Sequence, residues 1–569
     1  MLGWEAALTR HALVRNSPIK VVGVNEKLTV EAAKLKLKRS RKLSQADSYL
    51  VALAKLRKAA VATADASIRE SARFRSCSYP FNQKIFPQLT VGKCVKLEVL
   101  SRSDVRCIHD ASMEVLERVG VRVLEPRALE ILRQAGAEVD EKALTVRVPE
   151  YLVRECVAKA PKRFSLHGRR RGYRLLFERG RTYFSAQGTS LFVVDPFTGG
   201  RRPSTLEDVK RFYRLVDALE HVHHATLVVH PRDVPEQLAH AYALFEAFRN
   251  TSKTVDAYAC ERASALDAVR MASIVAGGEE ELARKPMLLF FYNPVSPLQH
   301  PTGLLEGLEV FAEHGQPVIV APECQAGATA PASLAGLLVQ QNAEVLSAIC
   351  VAELVKPGAP VFYGTVSTVM DMRTGNIALG AVEAGLINAA TAQIASYYGL
   401  PCRGTGGVTE AKVPDLQASF EKALTLLMAS LAGVNFIYDA TGSLDSTLAA
   451  SYEQLVIDDE LCGAVERVLC GIDTSVEALA LDLIEEVGPG GHYLGKLHTV
   501  KHVKVEHFFP KLLARQRWES WVSSKKMLEQ AKEKAEKLLK DHEPEPLDPV
   551  VERDLAAYLE KPLTERGER

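Results

Sequence analysis

The chain has 569 residues, 47% of them apolar and 25% charged, and a formal net charge of +1, the mix of an ordinary globular protein. That length accommodates two to four average domains, or one large α/β barrel with extensions. There is no bilayer-spanning run of about 20 apolar residues, and "MLGWEAALTRHALVRNSPIK" breaks its apolar stretch with Arg10, His11 and Arg15, unlike a secretory signal.

The charge is unevenly spread. Residues 1–100 hold 19 Lys and Arg against 7 Asp and Glu, leaving 52 and 63 for the rest. A basic arm of this kind suits a solvated tail or contact with nucleic acid or an anionic surface; the solvated tail is the simpler reading. "EAAKLKLKRSRKL" and "SYLVALAKLRKAAVATADASIRESARF" have helical composition but few large apolar residues to bury. No methionine stands between Met1 and Met113, so a start near Val99 or Leu100 from an alternative codon would make the first hundred residues non-native. Residues 1–99 are therefore read as a basic extension, disordered or not native.

Organised sequence begins at "DVRCIHDASMEVLERVGVRV". Ile108, Met113, Leu116 and Val119 recur at helical intervals, and Gly120 suits a C-cap before a strand. "EPRALEILRQAGAEVD" repeats the pattern, giving a mixed helical and strand subdomain over 100–180. From 181 to about 480 one unit recurs: a β-rich apolar run, a polar glycine-containing loop and an amphipathic helix. The runs are "HATLVVHPRDVP", "KTVDAYACERAS", "PMLLFFYNPVSPLQ", "PVIVAPECQAGATAP", "PVFYGTVSTVMDMRTG", "LPCRGTGGVTEAKVPD" and "NFIYDATGSLDSTLA", and "RTYFSAQGTSLFVVDPF" supplies an eighth strand or a hairpin. Strands this apolar suit a sheet covered by helices, and about eight strand–helix alternations favour a (β/α)8 barrel over an open doubly wound sheet. Residues 481–569 complete the chain as a helical extension. There "KKMLEQAKEKAEKLLKDHEPEP" places Leu528, Ala531, Ala535 and Leu538 at helical spacing.

In such a barrel the chemistry lies at the C-terminal ends of the strands. Gly404, Gly406 and Gly407 would let the backbone turn tightly there and leave space for a ligand. Asp415 would then cap a helix carrying Leu416, Phe420, Leu424, Leu427 and Leu431. An ordinary βα turn with a solvated charge pair fits the same spacing.

Most chemical motifs are missing. "GTGGVT" lacks the third glycine of a dinucleotide fingerprint, and no phosphate-binding loop, HExxH, GxSxG or kinase signature occurs. The ten cysteines stand singly, with no CxxC, consistent with reduced thiols and a cytoplasmic protein. His498 and His502 stand four apart, but a metal site needs a third ligand. What remains is polar and aromatic chemistry at strand ends: His230, Tyr292, Asn293, Glu323, Tyr363, Asp371, Glu410 and Asp439. An acidic and aromatic cup suits a cation, above all a quaternary ammonium, with cation–π contacts contributing roughly 0.5–2 kcal/mol each.

The chain resembles the corrinoid-dependent trimethylamine methyltransferase family from about Asp104 to Asp554. The resemblance rests on "IHDASMEVLERVGVRV", "VRVPEYLVRECVAKAPKRFSLHGR", "QNAEVLSAICVAELVKPGAPVFYG", "YYGLP", "EAKVPDLQASFEK", "YEQLVID" and "GGHYLGKLHT". It implies a (β/α)8 barrel whose mouth presents a methylated amine to the cobalt of a separate corrinoid protein. It further implies no tightly bound cofactor or metal, a homo-oligomer, and no nucleic-acid or membrane partner. In trimethylamine-specific members a pyrrolysine precedes the Ser/Thr-Asp/Glu-Ala-Lys stretch, a position that falls here on Val408. Valine forms no covalent amine adduct, so the departure points to members without pyrrolysine that demethylate quaternary amines such as glycine betaine. Glu323 stands where pyrrolysine-type relatives carry apolar residues.

Within that scheme Glu323, Glu410 and Asp439 would supply negative potential, and Tyr292 and Tyr363 would pack against the trimethylammonium. Asn293 and His230 would line the site, and Arg403 or Lys412 would meet a substrate carboxylate. Four other readings stand beside it: trimethylamine or another methyl donor, zinc-dependent transfer from methanol or a thioether, a catalytically silent barrel that docks a corrinoid protein, and a nucleic-acid binder acting through the basic arm.

Overall fold

The computed structural model describes residues 96–561; the expectations for the basic arm and for an alternative start lie outside them. The described residues fall into two units, 96–472 together with 508–561, and 473–507.

In the larger unit eight parallel strands close a barrel. They are β1 (Tyr183–Ala186), β2 (His224–Ala225), β3 (Thr254–Ala257), β4 (Leu288–Tyr292), β5 (Val318–Val320), β6 (Val361–Gly364), β7 (Cys402–Thr405) and β8 (Phe436–Thr441). Each comes from one of the eight apolar runs in the sequence. Eight helices return the chain: α1 (Leu206–Ala218), α2 (Glu236–Asn250), α3 (Arg262–Ala276), α4 (Thr302–Glu313), α5 (Leu334–Val355), α6 (Val382–Tyr398), α7 (Leu416–Ala432) and α8 (Tyr452–Leu469). Among the described helices α5 alone has the length and hydropathy to cross a membrane, and it is mostly buried inside the protein.

Side-chain alternation along the strands divides the apolar residues into two cores. Phe290, Val318, Val320, Val361, Ile437 and Phe184 point outward to the helices. Leu289, Phe291, Ile319, Ala321, Phe362, Phe436 and Tyr438 point inward and pack with Leu166, Leu175 and Phe177. Those last three belong to an antiparallel hairpin, Phe164–His167 with Arg174–Phe177. Phe177 meets Phe362, Phe436 and Tyr183 at ring-centroid distances of 4.7, 5.4 and 5.4 Å, at the N-terminal ends of β6, β8 and β1. The hairpin therefore plugs that end of the barrel, and the C-terminal end is the mouth.

The N-terminal subdomain opens with the helix Arg102–Glu114, capped by Ser101, and a π-helical turn Val115–Val119. Gly120 follows at φ +78°, and a Cβ there would lie 2.5 Å from the Val146 carbonyl oxygen. Ile108, Met113 and Leu116 are buried as their spacing predicts, whereas Val119 is exposed. At the other end, helix Met527–Asp541 buries Ala531 and Ala535 in the main core, and Leu538 packs beside them.

The unit 473–507 contains short helices Val476–Leu479 and Leu481–Val487 and the helix Leu497–Glu506. The His498 and His502 rings stack at 3.9 Å, and His498 Nε2 lies 3.2 Å from the Glu477 carbonyl. Among the described residues no group of three His, Cys, Asp or Glu could hold a metal ion.

Candidate active site at the barrel mouth

Arg403 on β7 is the centre of the mouth. It is 1% exposed, its guanidinium lying between the rings of Phe291 and Tyr438, 4.9 and 4.7 Å from their centroids. One nitrogen donates to the Thr365 carbonyl and to Thr405 Oγ1 (2.8 Å), and another donates to Asp439 Oδ2 (3.2 Å). Its Nε is buried with no hydrogen-bond partner. Burial pulls the arginine down and pushes the Asp439 carboxyl up, and the contact between them offsets both shifts.

Asp439 reaches this position through a backbone irregularity. The pairing of β8 with β1 shifts register between Ile437 and Thr441, and Asp439 sits at φ +65°, a left-handed conformation uncommon outside glycine. Such bulges re-aim side chains beside active sites. Its Oδ1 accepts the Gly188 N–H at 2.6 Å.

Two more acids complete the cluster. Asp256 on β3 accepts the Tyr438 hydroxyl at 2.5 Å and the Leu227 N–H at 3.0 Å. Glu323, half-buried after β5, is raised first by burial; Asp439 raises it further, and Gln325 and Arg403 oppose. The mouth thus holds three carboxyl groups against one guanidinium, and the two charges nearest each other, Arg403 and Asp439, already compensate. Ionised Asp256 and Glu323 would then leave the mouth with a net negative charge.

Burial also raises Asp256, to about 6 from its ordinary 3.8, despite the bonds from Tyr438 and Leu227. Above that value the carboxylate is ionised and attracts a cation, and below it the proton removes the charge. KM for a cationic substrate is therefore expected to rise as pH falls from 7 to 5, and Asp256→Asn is expected to flatten that profile. A KM independent of pH in the native enzyme would contradict it.

Several residues expected at the site are elsewhere. Tyr292 and Tyr363 face away from the lumen, because alternation turns Phe291 and Phe362 inward. The Tyr292 hydroxyl meets His300 Nδ1 at 2.6 Å, whose Nε2 reaches Ser347 on α5 at 2.8 Å. Tyr363 donates to Asn342 Oδ1 on α5 at 2.8 Å. Neither ring can pack on a ligand in the mouth. Glu410 is occupied as a loop tie, its Oε1 accepting the Gly380 N–H (2.8 Å) and the Ser446 hydroxyl (3.2 Å). Lys412 pairs with Asp445 at 2.7 Å and is largely exposed. Asp371 lies on a surface hairpin, held by Arg373, which keeps its carboxyl down at about 2. Asn293 donates to the Ala321 carbonyl (3.0 Å) across the ends of β4 and β5. His230 bonds Glu236 at 3.0 Å, its ring 5.8 Å from Tyr258. Val408 is fully buried.

The glycines ahead of Val408 do not leave open space. A Cβ on Gly404 would lie 2.6 Å from Asn388 Oδ1, one on Gly406 would lie 3.2 Å from the Leu426 Cα, and one on Gly407 would lie 2.5 Å from the Ala440 carbonyl oxygen. The room is taken by the protein itself, and Gly407 alone of the three needs its positive φ of +83°. Asp415 caps α7 as expected, accepting from Ala418 N at 2.9 Å.

Sequence reasoning passed over Asp256, Phe291, Tyr438 and the buried pair Lys422–Asp458. The signal for Asp256 lay in "KTVDA", where Thr254 and Asp256 alternate with Val255 and Ala257.

The trimethylamine methyltransferase (MTTB) family model matches residues 66–567. A PIN domain model matches residues 2–73, which lie outside the described residues. The glycine betaine methyltransferase of Desulfitobacterium hafniense (strain Y51) is 35% identical over 479 residues, 83% of this chain and 98% of that protein. A trimethylamine methyltransferase MttB of Methanosarcina barkeri is 36% identical over 477 residues, 82% of this chain and 95% of that protein. Among solved structures, the monomethylamine methyltransferase MtmB of Methanosarcina barkeri aligns with a TM-score of 0.43 at 11% identity, covering 76% of this chain and 98% of that one.

Proposed function

The chain belongs to the trimethylamine methyltransferase family, and on that premise we propose that this methyltransferase takes its methyl from a quaternary ammonium compound of the glycine-betaine kind. The acceptor is the corrinoid of a separate protein, which supplies the cobalt nucleophile. Identity does not choose between donors, since relatives named for glycine betaine and for trimethylamine match about equally. The observation that carries the reading is the charge of the mouth, three carboxyl groups around one compensated arginine.

Chemistry supports the same choice. A quaternary ammonium carries its positive charge permanently and leaves as a neutral tertiary amine, the C–N electron pair going to nitrogen. It needs no covalent adduct, and the buried Val408 offers none. The protein has to orient one methyl group and exclude water. Glu323 and Asp439 hold the cationic head, Asp256 adds charge behind Tyr438, and the unpartnered Arg403 Nε–H receives a substrate carboxylate. The inward aromatic faces of Phe291 and Tyr438 already cover Arg403, so recognition of the cation rests on carboxylates rather than an aromatic cage.

Binding of glycine betaine against 3,3-dimethylbutyrate, in which an uncharged carbon replaces the ammonium nitrogen, tests this reading by calorimetry. The betaine is expected to bind at least about tenfold tighter, a difference of about 1.4 kcal/mol. Equal affinities would contradict it.

The rim of the mouth supports docking of the corrinoid protein there. Leu191, Tyr258, Val295, Met372, Leu416, Phe420 and Leu448 are exposed large apolar side chains on strand-to-helix loops or the first turns of α7, with Leu416 at 89% and Met372 at 72%. Single exposed apolar residues are ordinary, but seven on the loops and the helix turn that follow the C-terminal ends of the strands suit a contact surface. Phe420→Asp combined with Met372→Asp is expected to raise KM for the corrinoid protein about tenfold; an unchanged KM would move docking elsewhere. Self-association belongs to the same reading through the family, and the solution mass by light scattering measures it.

A further inference from the structure

Beneath the loop that carries Val408 lies an ion pair with no access to water. Lys422, from the second turn of α7, and Asp458, from the second turn of α8, are both 0% exposed and stand 3.0 Å apart. Lys422 Nζ also donates to the Gly407 carbonyl at 2.6 Å and reaches Ser443 Oγ at 3.5 Å. Asp458 accepts the Gly442 N–H at 2.8 Å and Gln454 Nε2 at 2.7 Å. Gly407 and Gly442, at φ +83° and +88°, are the left-handed turns that end β7 and β8. Two charges therefore join two helices and both turns beside the site.

We propose that Lys422 and Asp458 are positioning residues for methyl transfer, a clamp that holds the turns after β7 and β8 in register and so places Asp439 and the Val408 loop at the mouth. The proposal rests on the mouth being the methyl-donor site. Stability alone does not explain the pair, because desolvating two charges is costly and well-packed apolar residues often serve a fold as well or better. A fixed register does explain it. Asp439 lies three residues before Gly442 and has the bulged, left-handed backbone that most needs support from outside. It is faced by Arg403 from β7, by Glu323 beyond β5, by Asp256 from β3 and by Tyr438 beside it. The field of Lys422 reaches Asp439 as a second cation and favours its ionised form. Positioning to a fraction of an ångström governs in-line transfer, and a displacement of about 1 Å can cost on the order of a hundredfold in rate.

The test replaces both charges together, Lys422→Met with Asp458→Leu, in the full chain with its corrinoid partner. The methyl donor is whichever amine the native enzyme turns over, so failure of the quaternary-ammonium reading appears in the native enzyme and not in this comparison. The double variant is expected to unfold cooperatively near the native midpoint, to keep KM for the donor within about threefold, and to lose about tenfold or more in kcat. Amide exchange at residues 406–410 and 441–443 is expected to accelerate while the barrel strands stay protected. Native kcat and native exchange in the folded double variant would overturn the proposal. Asp458→Asn keeps the shape of the site but removes the carboxylate charge, leaving Lys422 buried without its counter-ion; it is expected to show the same exchange signature and at least as large a loss of kcat. It decides the matter if the double variant does not fold.

Discussion

Asp439→Ala lowers the free energy of unfolding by about 3–5 kcal/mol, the cost of leaving one member of a buried ion pair without the other, and denaturant titration of the two proteins measures it. The size of the effect follows from where Arg403 sits. Its side chain is 1% exposed and lies against Phe291 and Tyr438, so the guanidinium left behind is largely desolvated. The guanidinium cannot shed its charge at neutral pH. Removing both charges together, Arg403→Met with Asp439→Leu, is expected to restore most of the stability and to leave methyl transfer abolished. Equal destabilisation by the single and double variants would mean that the pair is not an energetic unit.

Glu323→Gln raises KM for the quaternary donor about tenfold, or roughly 1.4 kcal/mol, with kcat within about threefold of native. The split has a reason. The carboxylate meets positive charge that is present in the bound substrate and still largely carried by the methyl group as it moves, so its contribution is nearly the same in both states and appears in KM. Glutamine keeps the size and the hydrogen-bonding capacity, so the change isolates charge. Because burial raises Glu323, the native KM is also expected to climb in acid, in the same direction as the effect of Asp256. An unchanged KM in the glutamine variant would remove Glu323 from the site.

The barrel was legible because each strand is an apolar run that ends in a polar, glycine-bearing loop, and all eight runs became strands. The direction of the side chains was not legible. In "LLFFY" and "VFYG" both strand faces are buried, one by helices and one by the lumen, so hydrophobicity does not alternate. The tyrosines, being amphipathic, looked like ligands, yet His300 and Asn342 outside the barrel satisfy their hydroxyls. Arg403 and Asp439 were visible as charges in otherwise apolar strands, where a charge needs a buried partner or a lumen. Their pairing was not visible, since it depends on the bulge at Asp439. Helix α7 departed from its expected pattern at its N-terminal turns, where Leu416 and Phe420 are 89% and 68% exposed while Lys422 is buried; further along, Leu427 and Leu431 pack on the core as their spacing predicts. A helix whose N-terminal turns border the mouth answers to a partner surface and an internal ion pair as well as to the core. Lys422 and Asp458 close the blocks "EAKVPDLQASFEK" and "YEQLVID", which marked the family without marking the contact between them.

The central claim is that a permanently charged donor gives up its methyl here without covalent help from the protein. Incubating the enzyme and its reduced corrinoid protein with glycine betaine, other betaines and trimethylamine, and following methylated corrinoid by absorbance, tests it most directly. Methylation is expected with at least one quaternary compound and not with trimethylamine. Methylation by trimethylamine with every quaternary compound inert would contradict it.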